Sequence, residues 1–433
     1  MSRRFVRVLS LGALWIWICL PISGQGLKDL ARTHEPKLKK VLTTNIQDFW
    51  LRNGLDRERG GYLISFDDDG RRVEPYTKMI VTQARQLWLH SRLARAGYKR
   101  EENLKAAAHG YKFLREKMWD SQHGGFFWEV EAAGQPLRTL KHLYGQSFGL
   151  YALSEYALAT RDKGALALAV KLFQLLEEKA HDAKYQGYNE IFAADWQPVA
   201  PGTANYISGA AAPVKLYNTH LHLLESVTTF YRASKLPLAR TRLLELIEIE
   251  TDKVVRKEYP LCTDVHRPDW TPVLEGNSAM ASYGHDLENI WLVMDACRAV
   301  GVAPIKYRQL FEGLFAYSLK YGFDQEAGGF FSSGPFNQPA TNRDKVWWAQ
   351  AEALVACLWM HRLTGEQQYL DVFAKTWDFV EKRMIDWEHG EWRNTIDADG
   401  RVRGPKANIW KAGYHNGRSM IECLARLQAA LKN

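Results

Sequence analysis

A chain of 433 residues, 46% hydrophobic and 24% charged, is globular in composition and large enough for two or three average domains or for one helical toroid. The totals exclude collagen-like and disordered classes, and a net charge of +8 with no arginine stripe argues against a nucleic-acid surface. Sixteen tryptophans offer flat apolar faces with a polar edge, suited to stacking on sugar rings as well as to filling a core.

Residues 1 to about 25 read as a secretory signal. Arg3, Arg4 and Arg7 precede an uncharged run from Val8 to Leu20, and Pro21-Ile22-Ser23-Gly24 makes a small-residue exit. The competing reading is an uncleaved anchor, since the uncharged run is nearly long enough to span a bilayer. Export is expected, to the periplasm or the medium, and cleavage would leave a net charge near +5. Beyond the leader, Cys262, Cys297, Cys357 and Cys423 lie far apart without CxxC spacing, so no disulfide framework is predicted.

From residue 26 to 433 the chain repeats itself and is expected to form one domain. A helix-length run is followed by a Gly-rich aromatic hairpin and a second helix-length run. The hairpins start at Gly60-Gly61-Tyr62, Gly124-Gly125-Phe126, Gly187-Tyr188-Asn189, a degenerate Leu261-Cys262-Thr263, Gly328-Gly329-Phe330 and Gly390-Glu391-Trp392, roughly 60 to 70 residues apart. The first helix of each unit covers about 27–54, 101–118, 163–182, 238–257, 303–322 and 366–384, and is amphipathic. The second covers about 77–97, 139–160, 213–233, 282–300, 343–363 and 411–431, and is apolar around more of its circumference. A helix apolar nearly all round must be buried. The expectation is an all-α fold, an (α/α)6 barrel of six inner and six outer helices, with short β-hairpins at the end where inner helices begin. The longest interruption, residues 201–210, reads either as a mobile flap over a pocket or as a plain surface insertion.

Each inner helix start carries a polar cluster: Arg85 and Trp88; Tyr144 and Gln146; Asn218, His222 and Glu225; His285 and Glu288; Trp347, Trp348 and Glu352; Trp410, His415 and Arg418. Asn218 and His222 are four apart and His222 and Glu225 three apart, which puts them on one helical face. The same spacing lets Glu288 hold the imidazole of His285. His220 points away from His222 and is left out. Any one of these residues is as readily a satisfied core group; recurrence at one end of six units favours a shared pocket.

The motifs Asn218-Thr219-His220-Leu221-His222, Gly284-His285-Asp286-Leu287-Glu288, Trp347-Trp348-Ala349-Gln350-Ala351-Glu352 and Tyr414-His415-Asn416-Gly417-Arg418 resemble those of the cellobiose 2-epimerases, within the N-acylglucosamine 2-epimerase superfamily. The resemblance runs over essentially the whole chain after the leader, and it implies an (α/α)6 barrel independently of the repeat. It further implies that His222, His285 and His415 are the essential histidines and that Arg85 is the cation facing the reactive carbon. Tyr144, Asn218, Glu288, Trp347 and Trp410 would complete the sugar site, with Trp348 and Glu352 of the same motifs beside them. The insertion before Asn218 and the leader depart from the family pattern and leave the natural sugar open.

The implied chemistry suits these residue types. Inverting the carbon next to an aldehyde requires ring opening, removal of the C2 proton and its return to the other face of a planar enediolate. Two imidazoles on opposite faces do this, and His285 and His415 are assigned to the pair, with His222 assisting ring opening or polarising O1. Arg85 and the positive ends of inner helices would stabilise the anion. Reprotonation at C1 would give a ketose as a side product.

Three rivals are weighed. Three histidines with Glu288 could form a zinc shell, but the His-x-His pair splays on a helix and neither HExxH nor paired cysteines occur. A glycoside hydrolase could use Glu225, Glu288 and Glu352, leaving the histidines idle. A non-catalytic sugar binder needs the tryptophans alone. The expectation is a metal-free, cofactor-independent isomerase acting on a small sugar, monomeric, with no nucleic-acid partner and no membrane contact beyond an uncleaved leader.

Overall fold

Six times along the chain a residue bridges antiparallel to the residue seven positions on: Leu55 to Tyr62, Trp119 to Phe126, His181 to Tyr188, Val255 to Cys262, Phe323 to Phe330 and Ile385 to Trp392. Each bridge closes a hairpin between one long helix and the next, so the sixfold repeat is present in the backbone, its degenerate fourth unit included. The computed structural model describes residues 26–432. The expected secretory leader lies outside the described residues.

The outer helices are α1 (27–53), α3 (100–118), α5 (Lys163–Lys179), α7 (237–253), α9 (Arg308–Gly322) and α11 (368–384). The inner helices are α2 (Ile80–Arg95), α4 (Leu143–Thr160), α6 (Tyr217–Ser234), α8 (Tyr283–Val300), α10 (Trp347–Thr364) and α12 (Tyr414–Lys432). Burial follows the reading of their composition: α4 is buried without a break from Leu143 to Ala157. Helix α2 packs on α4, α4 on α6, α6 on α8, α8 on α10, α10 on α12, and α12 returns to α2. The first outer helix packs on α12, and one apolar cluster runs from Leu30 to Leu427. This is the (α/α)6 barrel. Among the described residues no helix is long and apolar enough to cross a membrane. The four cysteines are free and buried.

Helices α2, α4, α6 and α10 begin three or four residues later than periodicity predicts. The residues before them are short strands, Lys78–Met79, Lys141–His142, Lys215–Leu216 and Lys345–Val346, each paired with the hairpin of the following unit. The first helical amides, of Ile80, Leu143, Tyr217 and Trp347, donate to carbonyls of that hairpin at 2.7–3.0 Å. Helix-start amides have no partner within their own helix. Here the neighbouring unit supplies one, which is why each inner helix begins where it does. A bridge between Phe66 and Ala407 joins the last unit to the first.

Five of the six hairpins are locked from below. Lys78 pairs with Asp56 at 2.8 Å, Lys141 with Asp120 at 2.7 Å, Lys215 with Asp182 at 2.8 Å and Lys345 with Asp324 at 2.7 Å, and Lys406 pairs with Asp386. The other oxygen of each aspartate accepts amides of its own turn, as Asp120 does from Gln122 and His123. In the fourth unit Arg256 stands where the aspartate would be, and there the hairpin has lost its glycines. A buried pair adds little net stability, yet losing one partner strands a charge at a cost of about 3–5 kcal/mol. Such pairs therefore enforce one arrangement of strand and turn.

The glutamine of the second polar cluster belongs to this scaffold. Gln146 accepts from the amide of Phe126 and donates to its carbonyl, each at 2.8 Å. Gln83 and Gln350 make the same two contacts with Tyr62 and Phe330. His220 takes that position in the third unit, accepting from the Tyr188 amide at 3.0 Å, consistent with its exclusion from the pocket. The insertion is a docked hairpin: across it the Gly202 amide donates to the Ala212 carbonyl and the Ala212 amide to the Thr203 carbonyl, and Asn205 at its turn is buried.

Candidate active site

Three imidazoles stand at the hairpin end of the barrel, and each is held through the same ring atom. Nδ1 of His222 lies 3.2 Å from Oε2 of Glu225, Nδ1 of His285 lies 2.8 Å from Oγ of Ser282, and Nδ1 of His415 lies 2.7 Å from Oε1 of Glu352. In every case Nε2 is the atom left for a substrate. The rings of His222 and His415 are 6.3 Å apart, and the half-buried indole of Trp348 lies 4.6 Å from His285 and 5.8 Å from His415. Gly284 allows this approach: a Cβ there would come within 2.8 Å of Trp348 and Ala349.

The expected contact between Glu288 and His285 is not made. Glu288 lies one turn further into α8, buried at the barrel axis, where Arg418 takes one of its oxygens. His285 turns back to Ser282 at the helix N-cap. A serine there usually caps the helix amides; Ser282 makes no such bond, and its hydroxyl is paired with the imidazole Nδ1 instead.

Arg418 is the centre of the floor. Its guanidinium bonds Glu225 and the Tyr414 hydroxyl through one nitrogen, and Glu288 and Glu352 through another, the last at 2.8 Å. The Tyr414 hydroxyl also reaches Glu225, and Trp291 Nε1 donates to Glu352 at 2.9 Å. Two of the carboxylates on this one cation are those that hold His222 and His415. Burial alone would raise all three carboxyls; the guanidinium outweighs it at Glu225 and holds that group down to about 2. Glu288 is pushed well above the carboxylate range by burial and by the Glu352 charge, which favours its keeping a proton, and burial also raises Glu352. Ser282, Tyr414 and Trp291 were given no role by sequence reasoning; Tyr414 and Arg418, four apart on α12, were legible as one face.

Above the floor, Arg85 reaches across the opening. It donates to the Tyr144 hydroxyl at 3.0 Å and to the Trp410 carbonyl at 2.6 Å, with its carbon 4.4 Å from the Phe148 ring centre and 4.9 Å from that of Tyr414. Its Nε is buried without a partner. Tyr144 stands edge-on to His222 at 5.3 Å. Asn218, one turn before His222, donates its amide to Asp264, and its side-chain oxygen is unpartnered. Trp410 is half-buried, whereas Trp347 is buried with Lys411 over its face and its ring near-perpendicular to His415. Trp348 and Trp410 are thus the indoles with surface to offer. Trp88 of the first cluster instead lines a second cavity of about 230 Å³ behind the floor, with Tyr151, Glu225 and Arg418.

Burial lowers the basicity of all three imidazoles. It brings His222 to about 4 against the opposing pull of Glu225, and His285 to about 3 with help from the His222 charge. His415 is driven well below its ordinary value by burial, then by Arg85 and Arg418. His285 and His415 also occupy first turns of their helices, whose positive ends disfavour an imidazolium. Burial thus favours the neutral ring at each of the three.

Glu288, Glu352 and His415 each place a ligand atom within 4.8 Å of the others, a set a metal ion could use. Arg418 bonds both carboxylates, so a resident cation already serves them. The same bonds commit Glu225, Glu288 and Glu352 to the floor, and none is free to flank a scissile bond as a hydrolase requires.

An (α/α)6 barrel that gathers three imidazoles and a guanidinium at one end is of the class built for acid–base chemistry. Comparison with known proteins agrees: the N-acylglucosamine 2-epimerase (GlcNAc 2-epimerase) family profile matches residues 60–416, and the chain belongs to that family. It is 32% identical to the cellobiose 2-epimerase of Bacteroides fragilis over 394 residues, 90% of this chain and 98% of that one. The cellobiose 2-epimerase structure from Spirochaeta thermophila superposes with a TM-score of 0.84 at 32% identity, covering 95% of this chain and all of that one. The one from Bacillus thermoamylovorans gives the same score and identity over 91% of this chain.

Proposed function

We propose that this sugar 2-epimerase acts on the reducing-end residue of a β-1,4-linked disaccharide of the cellobiose kind, interconverting glucose and mannose there. The observation that carries the reading is the set of three imidazoles, each held at Nδ1 and each presenting Nε2, beside the Arg85 guanidinium. The relatives named above, matched over almost their whole length, support the disaccharide.

His222 and Tyr144 assist opening of the pyranose to the aldehyde. One of His285 and His415 enters neutral and takes the C2 proton through Nε2; its partner enters protonated and returns a proton to the opposite face. The enediolate between these steps is anionic at O1 and O2, and Arg85, already fixed by Tyr144 and the Trp410 carbonyl, meets that charge without reorganising. Neutral imidazoles are the correct starting state for a base, and the anion forming beside them stabilises the imidazolium that follows. The roles exchange in the reverse reaction. Trp348 and Trp410 offer the faces for stacking.

Incubation with cellobiose in D2O tests the reading. The expected product is glucosyl-mannose carrying deuterium at C2, with a small ketose fraction from reprotonation at C1. Release of glucose, or no change, would overturn it. Mannobiose is the second sugar to assay, because the reaction runs through one shared enediolate. Export is proposed from the sequence of residues 1–25, and N-terminal sequencing of the extracytoplasmic protein tests it; a monomer is proposed separately, and sizing of that protein tests it.

A further inference from the structure

The insertion that interrupts the third unit presents Tyr206, a residue outside the catalytic cluster. Tyr206 is 41% exposed. Its loop is nevertheless fixed: the amides of Gly202, Ala212 and Asn205 donate to Ala212, Thr203 and Ala210 at 2.8–2.9 Å. Asn205, only 1% exposed, accepts from the Ile207 amide at 2.8 Å and contacts Nε2 of His142 at 3.2 Å.

A track of rings joins this loop to the catalytic imidazoles. His222 is 5.3 Å from Tyr144, Tyr144 is 6.4 Å from Trp410, Trp410 is 6.3 Å from Trp128, and Trp128 is 5.7 Å from Tyr206. Along it Trp410 is half-buried, Trp128 is buried, and Tyr206 is open again. The Tyr206 ring lies near-parallel to His142, which backs it on one side. The Arg138 guanidinium stands 6.0 Å from its centre, on a side chain 56% exposed and steadied by Glu129 at 3.0 Å. An aromatic ring already held in place loses little freedom on binding a ligand. Ring and guanidinium together match a pyranose, which has an apolar face and a rim of hydroxyls.

We propose that Tyr206 and Arg138 form a rim subsite for the third sugar unit of a β-1,4-linked oligosaccharide whose reducing end is epimerised among the histidines. The proposal rests on the epimerase reading. It makes the insertion a determinant of chain length and leaves the chemistry to the barrel.

The test compares kcat/KM for cellotriose and cellobiose in the wild type, Tyr206→Ala, Tyr206→Phe and Arg138→Ala. Tyr206→Ala is expected to lower the trisaccharide-to-disaccharide ratio about fivefold, the scale of one aromatic contact. Arg138→Ala should lower it in the same direction, and Tyr206→Phe should keep it. An unchanged ratio in Tyr206→Ala overturns the subsite, as does an equal fall in Tyr206→Phe, which would trace the effect to the hydroxyl. If the wild type turns over neither sugar, the epimerase reading fails, and tryptophan-fluorescence titration with the same two sugars judges the rim alone. There, a selective loss of cellotriose affinity in Tyr206→Ala supports the subsite, and equal affinities overturn it.

Discussion

Nδ1 of His415 lies 2.7 Å from Oε1 of Glu352, and Arg418 donates to that same oxygen at 2.8 Å. The carboxylate therefore fixes which ring nitrogen carries the proton and where the imidazole points, while the guanidinium fixes the carboxylate. Glu352→Gln keeps the volume but removes the negative charge that orients the ring and binds Arg418. Turnover is expected to fall about 10²-fold, with KM changing less, because the lost alignment matters most as the proton moves. A fall in KM affinity alone would place Glu352 in binding instead.

His285 and His415 make separable predictions if they serve opposite faces of C2. Either one replaced by Asn should cost about 10²- to 10⁴-fold in epimerisation. Each variant should still exchange the C2 proton of one epimer with solvent, the epimer differing between the two. Proton NMR of glucose-ended and mannose-ended disaccharides in D2O reads this directly. Full epimerisation by either variant would remove that histidine from the reaction.

Arg418→Met strands three carboxyl groups beneath the pocket. Unfolding free energy should drop by about 3–5 kcal/mol, the usual cost of uncovering a buried ion. Arg418→Lys restores the charge but reaches fewer acceptors at once, so it should recover part of the stability and less of the activity. Denaturant titration beside turnover separates the two effects.

Stability should peak near pH 6 to 7. Burial pushes the carboxyls of Asp286 and Glu190 up to about 8. A group whose folded value is raised contributes fully below its unfolded value, and that contribution is lost as pH climbs through the folded one. This contribution declines from about pH 4 to about 8, and above pH 6.5, where the histidine contribution is already complete, the fold should weaken with rising pH. Burial lowers His90, His142 and His266 to about 4 and His220 to about 3. These cores require neutral rings, so their contribution is complete above pH 6.5 and lost as pH falls toward 4. Melting temperature across this range checks both limbs; a flat profile would contradict them.

Treatment with a chelator is expected to leave turnover intact, since the Glu288, Glu352 and His415 donors already face a guanidinium. Loss of activity restored by a divalent metal would reverse the assignment.

The toroid, and the end of it that carries chemistry, were legible in the chain alone. Apolar periodicity distinguishes a helix buried all round from one buried on a stripe, and the hairpin glycines mark each passage between them, so both signals are local in the chain. His222 and Glu225 were legible for the same reason, lying three residues apart on one helix. His285 has an equally local partner in Ser282, three residues before it, whereas the partner of His415 is visible only once the barrel closes. His415 takes Glu352 from a neighbouring helix 63 positions away, and Arg418 gathers carboxylates from three helices. Such pairs have no spacing to read, because their distance is set by how the barrel closes. The error at Glu288 shows the physical reason: its spacing allowed a bond to His285, but a buried guanidinium at the axis offered a stronger one.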